Sequence, residues 1–310
     1  MVSDRNSEKH ERLVFASIVY PTKSSETNAL LLADSIRTFA GSLSGNPILY
    51  FTPEFGKQLS STAKDRLISL NVKMTPFKID LETLQFPLAA DVLAAAVAES
   101  AVYSQTDLLA WLGTNTVVIQ EPGAFLLQKE KNLGYRPVHH TLIGSRYDKA
   151  IDEFWTLVYR HCKVPQDRIF PMKTHIDGTR IRPYFNAGML ITRPRELLLQ
   201  KWSNTFFDLY QKLPFQEFYK KDELYKIFVH QALLSGAILS NFETDELAEL
   251  PPTYNYPLHL HTEDVTIHRP SVMEEVVTFR HESFYQDEEW TKKMPAKQQL
   301  RQWLAERIPK

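Results

Sequence analysis

The sequence predicts an α/β protein with a central, mostly parallel sheet flanked by helices on both faces. Three observations carry that expectation. Residues 1–120 alternate short apolar runs with helix-like segments, the pattern of repeated strand–helix units. The runs are unbroken, as strands buried on both faces are. The stretch 107–122, DLLAWLGTNTVVIQEP, places two such runs around one polar break, Gly113-Thr114-Asn115. Open α/β sheets bind ligands just outside the carboxyl ends of central strands, where such a break falls. The same tripeptide also reads as a tight turn, because Gly and Asn favour positive φ.

The elements follow in order. Residues 13–20 (LVFASIVY) read as the first strand. Ser24 or Ser25 is placed to cap a helix with Leu31, Ile36 and Phe39 on its apolar stripe, ending near Gly41. Residues 47–52 (PILYFT) and 72–77 are the second and third strands, with a helix over 56–70 between them. Residues 88–103 are Ala-rich with no Gly or Pro, which predicts a helix leading into the strand at 108–112. Beyond it the sequence predicts strands at 116–119, 137–144, 182–192 and 276–281, with helices over 148–162, 195–212, 222–237 and 296–308. The run LPPTYNYPLHLH (250–261) carries three prolines, which predicts a long ordered loop or lid. No internal repeat or linker composition divides the chain. The expected organisation is a loosely ordered N-terminus over 1–11 and a single domain over 12–310.

Composition narrows the function classes. The chain has 310 residues, 43% hydrophobic and 24% charged, as globular proteins do. With 36 basic and 37 acidic residues, it lacks the basic excess of a nucleic-acid binder. One cysteine excludes an intrachain disulfide and a cysteine zinc cluster. The polar start MVSDRNSEKHER is unlike a signal peptide, and no stretch approaches the roughly 20 apolar residues of a membrane span. A cytoplasmic location is the expectation. No GxGxxG follows the first strand, and no GxxxxGK[ST] or GxSxG occurs, which argues against dinucleotide, P-loop and α/β-hydrolase chemistry.

Three groups of residues remain as candidates for chemistry. In RPYFNAGMLIT (182–192), Arg182, Asn186 and Gly188 surround an aromatic pair, and the glycine permits close approach of a ligand or a neighbouring strand. A plain bulge accounts for the same residues. In the 222–237 helix, Gln231 falls on the apolar stripe with Leu224 and Phe228, so its amide needs a partner. Glu223 and His230 lie on the adjacent row, about two turns apart, and both can line one cleft; His230 reads equally as a core histidine bonded to a backbone carbonyl. Ten histidines include His139/His140 and His259/His261. The second pair would point the same way in a strand and could chelate a metal, whereas the first would point oppositely. Solvated loop histidines are the simpler reading.

Taken together, FASIVYPT (15–22), LLAWLGTNTVVIQEP (108–122), YFNAGMLITRP (184–194), HQALLSG (230–236), LPPTYNYP (250–257) and TFRHESF (278–284) resemble, in this order, the nucleotide-diphospho-sugar transferase superfamily of glycosyltransferases. That resemblance implies the Rossmann-like GT-A fold, a nucleotide-sugar donor and a separate acceptor, here of unknown identity. In metal-dependent members a DxD motif holds Mn²⁺ or Mg²⁺ against the diphosphate. The matching tripeptide here is Gly113-Thr114-Asn115, with neither carboxylate, so no metal cofactor is assigned. Arg182, Lys173, Arg146 or Arg136 would then balance the diphosphate in a metal-independent transferase. Alternatively the protein binds a nucleotide-sugar or glycan without turning it over. The resemblance further assigns Pro21 and Thr22 to the nucleobase and Asn186, Ala187, Gly188 and Gln231 to the donor sugar. His230 falls where relatives carry an acid near the acceptor, with Asp222 or Glu223 as stand-ins. His281 resembles a late histidine that completes a metal shell.

Overall fold

In the computed structural model, residues 11–282 and 284–308 are described. The apolar runs of the first third become β1 (Leu13–Ile18), β2 (Ile48–Glu54), β3 (Val72–Lys78) and β4 (Leu108–Leu112). β1 and β4 are buried along their whole length, which is why neither shows polar alternation. Between the strands run α1 (Lys23–Phe39), α2 (Ser61–Ser69), the short α3 (Leu81–Gln85) and α4 (Ala89–Val102). Thr22, rather than Ser24 or Ser25, caps α1, its side chain accepting from the Ser25 amide at 3.3 Å. Ser25 instead turns its hydroxyl back to accept from the Tyr20 amide, which closes the strand–helix corner.

β5 (Thr116–Val118) leaves the main sheet. The break at 113–115 is thus the corner where the chain passes from one sheet to another. β6 (Leu133–Pro137) precedes the position expected for it. Pro137 offers no N–H to continue the ladder, and the pairing register shifts between Tyr135 and Pro137. Residues 138–144 therefore form an irregular segment rather than the strand expected over 137–144. α5 (Glu153–Cys162) starts later than expected because Asp152 caps it through the Trp155 amide. The small hairpin of β7 (Met172–Lys173) and β8 (Arg180–Ile181) leads into β9 (Phe185–Thr192).

α6 (Leu198–Leu209), α7 (Leu213–Lys221) and α8 (Glu223–Asn241) follow. α7 was unexpected from the sequence, although Pro214 sits in its first turn, where proline favours a helix start. The 250–261 segment is largely irregular, as its prolines predict. It follows β10 (Leu247–Glu249) and contains the two-residue β11 (Tyr256–Pro257), and β12 (Thr278–Arg280), α9 (Trp290–Lys293) and α10 (Gln298–Ala305) complete the chain. Residues 1–10 of the expected loose N-terminus lie outside the described residues. Glu11 itself is held, its carboxylate 2.8 Å from the buried Arg193 guanidinium.

The main sheet has seven strands in the order β10-β6-β9-β4-β1-β2-β3. Four of its pairings are parallel, and β9 runs antiparallel between β4 and β6. Helices cover both faces, the expected arrangement. One face packs α4, α6 and α8 over Trp111, Leu190 and Phe185; the other packs α1 and α2 over Phe15, Tyr50 and Leu112. A second sheet, β11-β12-β5, packs around Tyr256 and Phe279. Its antiparallel pairing of Arg280 with Thr116 brings the late strand beside the Gly113–Asn115 corner. Among the described residues no helix is long and apolar enough to cross a membrane.

One buried carboxylate ties two covering helices together. α6 begins at Leu197, in the left-handed region at φ 56°, with no side-chain cap of its own. Glu99 of α4, fully buried, accepts from the amides of Leu199 and Gln200 at 3.2 and 2.9 Å and replaces that cap. Replacing Glu99 by Ala leaves two buried amides without an acceptor. We expect it to lower unfolding free energy by roughly 2 kcal/mol in urea titrations; an unchanged midpoint would contradict the capping role.

Candidate functional site

A cavity of about 500 Å³ opens at the carboxyl ends of β1 and β4. Ile18, Trp111, Leu112 and the Gly113-Thr114-Asn115 corner form its floor, and Asn186, Ala187 and Gly188 at the start of β9 form one side. The first turn of α4 contributes Leu88 and Asp91, and α8 contributes Phe228, His230 and Gln231. His139, His140, Leu142, His259 and Leu260 form the irregular rim, with Arg280 and Glu282 from the second sheet.

The corner is pinned from three directions. The Gly113 amide donates to the Gly188 carbonyl at 2.9 Å, the Thr116 amide to the Gly113 carbonyl at 3.0 Å, and the His281 amide to the Asn115 carbonyl at 3.0 Å. Arg280 crosses this corner. A Cβ on Gly188 would collide with the Arg280 guanidinium, and one on Gly113 would stand 3.7 Å from Nη1. Gly188 therefore leaves the space the guanidinium fills, whereas the distance at Gly113 is ordinary van der Waals contact. Arg280 Nη2 donates to Glu282 Oε1 at 2.5 Å, and Nη1 makes only a long 3.4 Å contact with Asn186 Oδ1. Its buried Nε has no partner among the described residues.

The β9 residues are fixed by α8. Gln231 Oε1 accepts from the Ala187 amide at 2.9 Å, the partner its buried amide group required. Asn186 folds its own Oδ1 back onto the Gly188 amide at 2.9 Å. His230 satisfies both sequence readings, because it lines the cavity while Nδ1 meets the Ile227 carbonyl at 2.8 Å. That bond requires the proton on Nδ1 and leaves Nε2 bare in the neutral ring. Burial lowers the His230 pKa to about 4, so the ring is neutral at physiological pH.

Other expected site residues lie elsewhere. Asp222 caps α8 through the Leu224 amide, and neither it nor Glu223, in the first turn, lines the cavity two turns away. Arg182 donates to Ser145 Oγ and the carbonyls of Arg146 and Lys149, outside the cavity lining. Arg136 is bound to Glu249 and the Leu250 carbonyl, Arg146 to Asp148, and Lys173 sits exposed on β7. Pro21 and Thr22 are at the α1 cap and are not cavity-lining. His281 borders an adjacent cavity of about 340 Å³ with Lys23, Ser24 and Asn28; Asn28 and Glu282 line both. His259 and His261 lie in and just after a 3-10 turn, not a strand, and His261 is occupied by the Tyr256 hydroxyl at 2.9 Å. Sequence reasoning missed Arg280 and Asp91 as cavity residues, although TFRHESF contains the first.

A divalent cation does not fit this donor set. Thr114 and Asn115 offer a hydroxyl and an amide oxygen without charge, and the Arg280 guanidinium occupies the adjoining notch. Among the described residues no three His, Cys, Asp or Glu side chains converge as metal ligands.

The buried histidines give stability a defined pH dependence. Burial first, with neighbouring charges second, lowers His139 well below its ordinary 6.5; burial takes His175 to about 3 and His281 to about 4. With His230 at about 4, four rings stay neutral in the fold below pH 6.5, where the unfolded chain protonates them. The unfolded state then binds more protons, so stability falls as pH drops through this window. Burial raises Asp91 to about 6 and Glu99 to about 7, and these two carboxyls oppose the effect. Four groups outweigh two, so we expect a lower melting temperature at pH 5 than at pH 7.5 by differential scanning calorimetry. An equal or higher value at pH 5 would contradict the assignment. Gly188→Ala should unseat Arg280 while leaving the fold intact, seen as near-native far-UV circular dichroism with weakened anion binding.

Comparison with known proteins agrees with this architecture. The model of the Rhodobacterales glycosyltransferase domain matches residues 16–239, from β1 through most of α8. Arg280 lies beyond the matched span. Among solved structures, the apo bifunctional glycosyltransferase WbbM superposes with a TM-score of 0.52 at 11% identity, over 89% of this chain and 46% of that one. The chain thus spans about half the length of that protein. The galactosyltransferase LgtC, solved with donor and acceptor sugar analogues, gives a TM-score of 0.48 at 12% identity over 86% of each chain. No curated protein shows significant sequence similarity. The fold is that of the GT-A glycosyltransferases, and the chain belongs to the Rhodobacterales glycosyltransferase domain family.

Proposed function

We propose that the protein transfers a sugar from a nucleotide-diphosphate donor to an acceptor, with Arg280 rather than a DxD-bound metal balancing the diphosphate. The observation that carries this reading is the space left by the missing Cβ of Gly188, which the Arg280 guanidinium fills beside Gly113, at the corner matching the DxD motif. As the bond from the anomeric carbon to phosphate breaks, negative charge grows on the leaving diphosphate. A preorganised cation at that place favours the transition state over the ground state. Arg280 Nη1, only loosely engaged by Asn186, is the donor available to a phosphate oxygen. Thr114 and Asn115 supply neutral polar contacts, and Asn186, Ala187 and Gly188 border the sugar, with Gln231 holding the Ala187 amide. The adjacent cavity at the α1 N-terminus, near Pro21 and Thr22, extends the site toward the nucleobase.

A second reading, a non-catalytic nucleotide-sugar or glycan binder, is favoured by one feature. Neither the DxD carboxylates nor an acid at His230 is present, although that scaffold of side chains is otherwise retained. Calorimetric titration with UDP, GDP and their common sugar conjugates, with and without Mn²⁺, tests the donor site. We expect binding that ignores Mn²⁺ and weakens at least tenfold in Arg280→Met, with hydrolysis of one conjugate deciding for the transferase. Strict dependence on Mn²⁺, or wild-type affinity in Arg280→Met, would overturn the role of Arg280.

A further inference from the structure

We infer that Asp91 is the catalytic base, taking the proton of the acceptor hydroxyl as it attacks the anomeric carbon, with Tyr20 as its positioning residue. The inference rests on the donor-site reading above. Among the described residues two carboxylates line the cavity, Asp91 and Glu282. Glu282 is bound to Arg280 at 2.5 Å, and that guanidinium holds its carboxyl below the usual range, so it is a poor proton acceptor. Asp91 is differently placed. It sits in the first turn of α4, with Leu88 one turn before it in the same wall. Tyr20, at the end of β1, donates its hydroxyl to Oδ2 at 2.5 Å and fixes the carboxylate plane. Among the described residues no other side chain donates to Oδ1. The side chain is half-buried at the cavity wall, so one oxygen is oriented and the other is free for a substrate.

The groups around it suit a proton acceptor. Tyr20 faces Asp91 from β1, and Arg280 acts on it from β12. The remaining titratable cavity residues are His139, His140, His230 and His259 on the rim and α8, and Glu282. Burial holds His139, His230 and His259 neutral, and His230, at about 4, is too weak a base to compete near neutral pH. Burial also raises Asp91 to about 6, nearer the working range of a base.

The step balances without another reactant. The acceptor oxygen forms a bond to the anomeric carbon and its proton passes to Asp91 Oδ1. The bond from that carbon to the phosphate oxygen breaks, and its electron pair leaves on the diphosphate against Arg280. Single displacement inverts the anomeric centre.

Asp91→Asn, Asp91→Glu and Tyr20→Phe, each with near-native circular dichroism, separate this role from a structural one. Nucleoside-diphosphate affinity is measured by calorimetry, and hydrolysis of the UDP- and GDP-sugars with water as acceptor by product release. For Asp91→Asn we expect affinity within about threefold of wild type and a rate at least about 100-fold lower. We expect wild type to show an acid limb near pH 6, and Asp91→Asn to lose it, with partial recovery in Asp91→Glu. Tyr20→Phe should shift that limb, and proton NMR should show an inverted sugar. A wild-type rate in Asp91→Asn, a retained anomer, or wild-type protein that binds conjugates without turning any over overturns the base. Failure of wild type to bind any nucleotide sinks the donor site itself, and the base with it.

Discussion

Arg280 in its glycine notch is the interaction on which the site depends. Its strand belongs to the small second sheet, yet its guanidinium lies against Gly113 and Gly188 of the main-sheet side. The pairing of Arg280 with Thr116 fixes where the side chain starts, and the missing Cβ of Gly188 leaves the space it fills. A buried guanidinium is costly to desolvate unless it is paired, and here Glu282 supplies the pairing while Nη1 is left loosely held. The cation is therefore both stabilised and available. That is the arrangement a site needs if charge is to appear transiently on a ligand.

Around this cation three of the lining histidines carry no charge. His139, His230 and His259 are held neutral by burial and by the proximity of Arg280. A partly buried charge acts over a longer range than one at the surface. Asp91, Glu282 and Arg280 supply the carboxylates and the guanidinium of the lining; in the reading proposed above, Asp91 accepts a proton and Arg280 balances a leaving anion. α8 supports both indirectly. Gln231 holds the Ala187 amide and Ser235 accepts from the Phe185 amide, which locks the β9 residues that border the notch.

The fold was legible in the sequence where local pattern and burial agree. The unbroken apolar runs of β1 and β4, the Ala-rich α4 and the polar corner at 113–115 all stood out, because strands buried on both faces cannot alternate. The expected 137–144 strand failed because β6 ends at Pro137, whose missing N–H pattern reading ignores. The site was less legible. Asn186, Gly188, His230 and Gln231, each singled out as a polar residue or glycine interrupting an apolar stretch, line the cavity. Arg280 carries no such local mark among 36 Lys and Arg residues, since only the β5–β12 pairing brings it to the corner. Arg182 showed the opposite error, as its sequence neighbourhood suggested a ligand while its guanidinium is bound to backbone carbonyls. Asp91 was hidden inside an Ala-rich helix, where an acid in the first turn is already explained by the helix dipole.

The most direct test is a crystal structure of the protein with the tightest-binding nucleoside diphosphate, grown in chelator. The account predicts the diphosphate seated against Arg280 between Gly113 and Gly188, with a phosphate oxygen at hydrogen-bond distance from Nη1. A diphosphate bound away from Arg280, or one that enters only when a metal bridges it to Thr114 and Asn115, would contradict it.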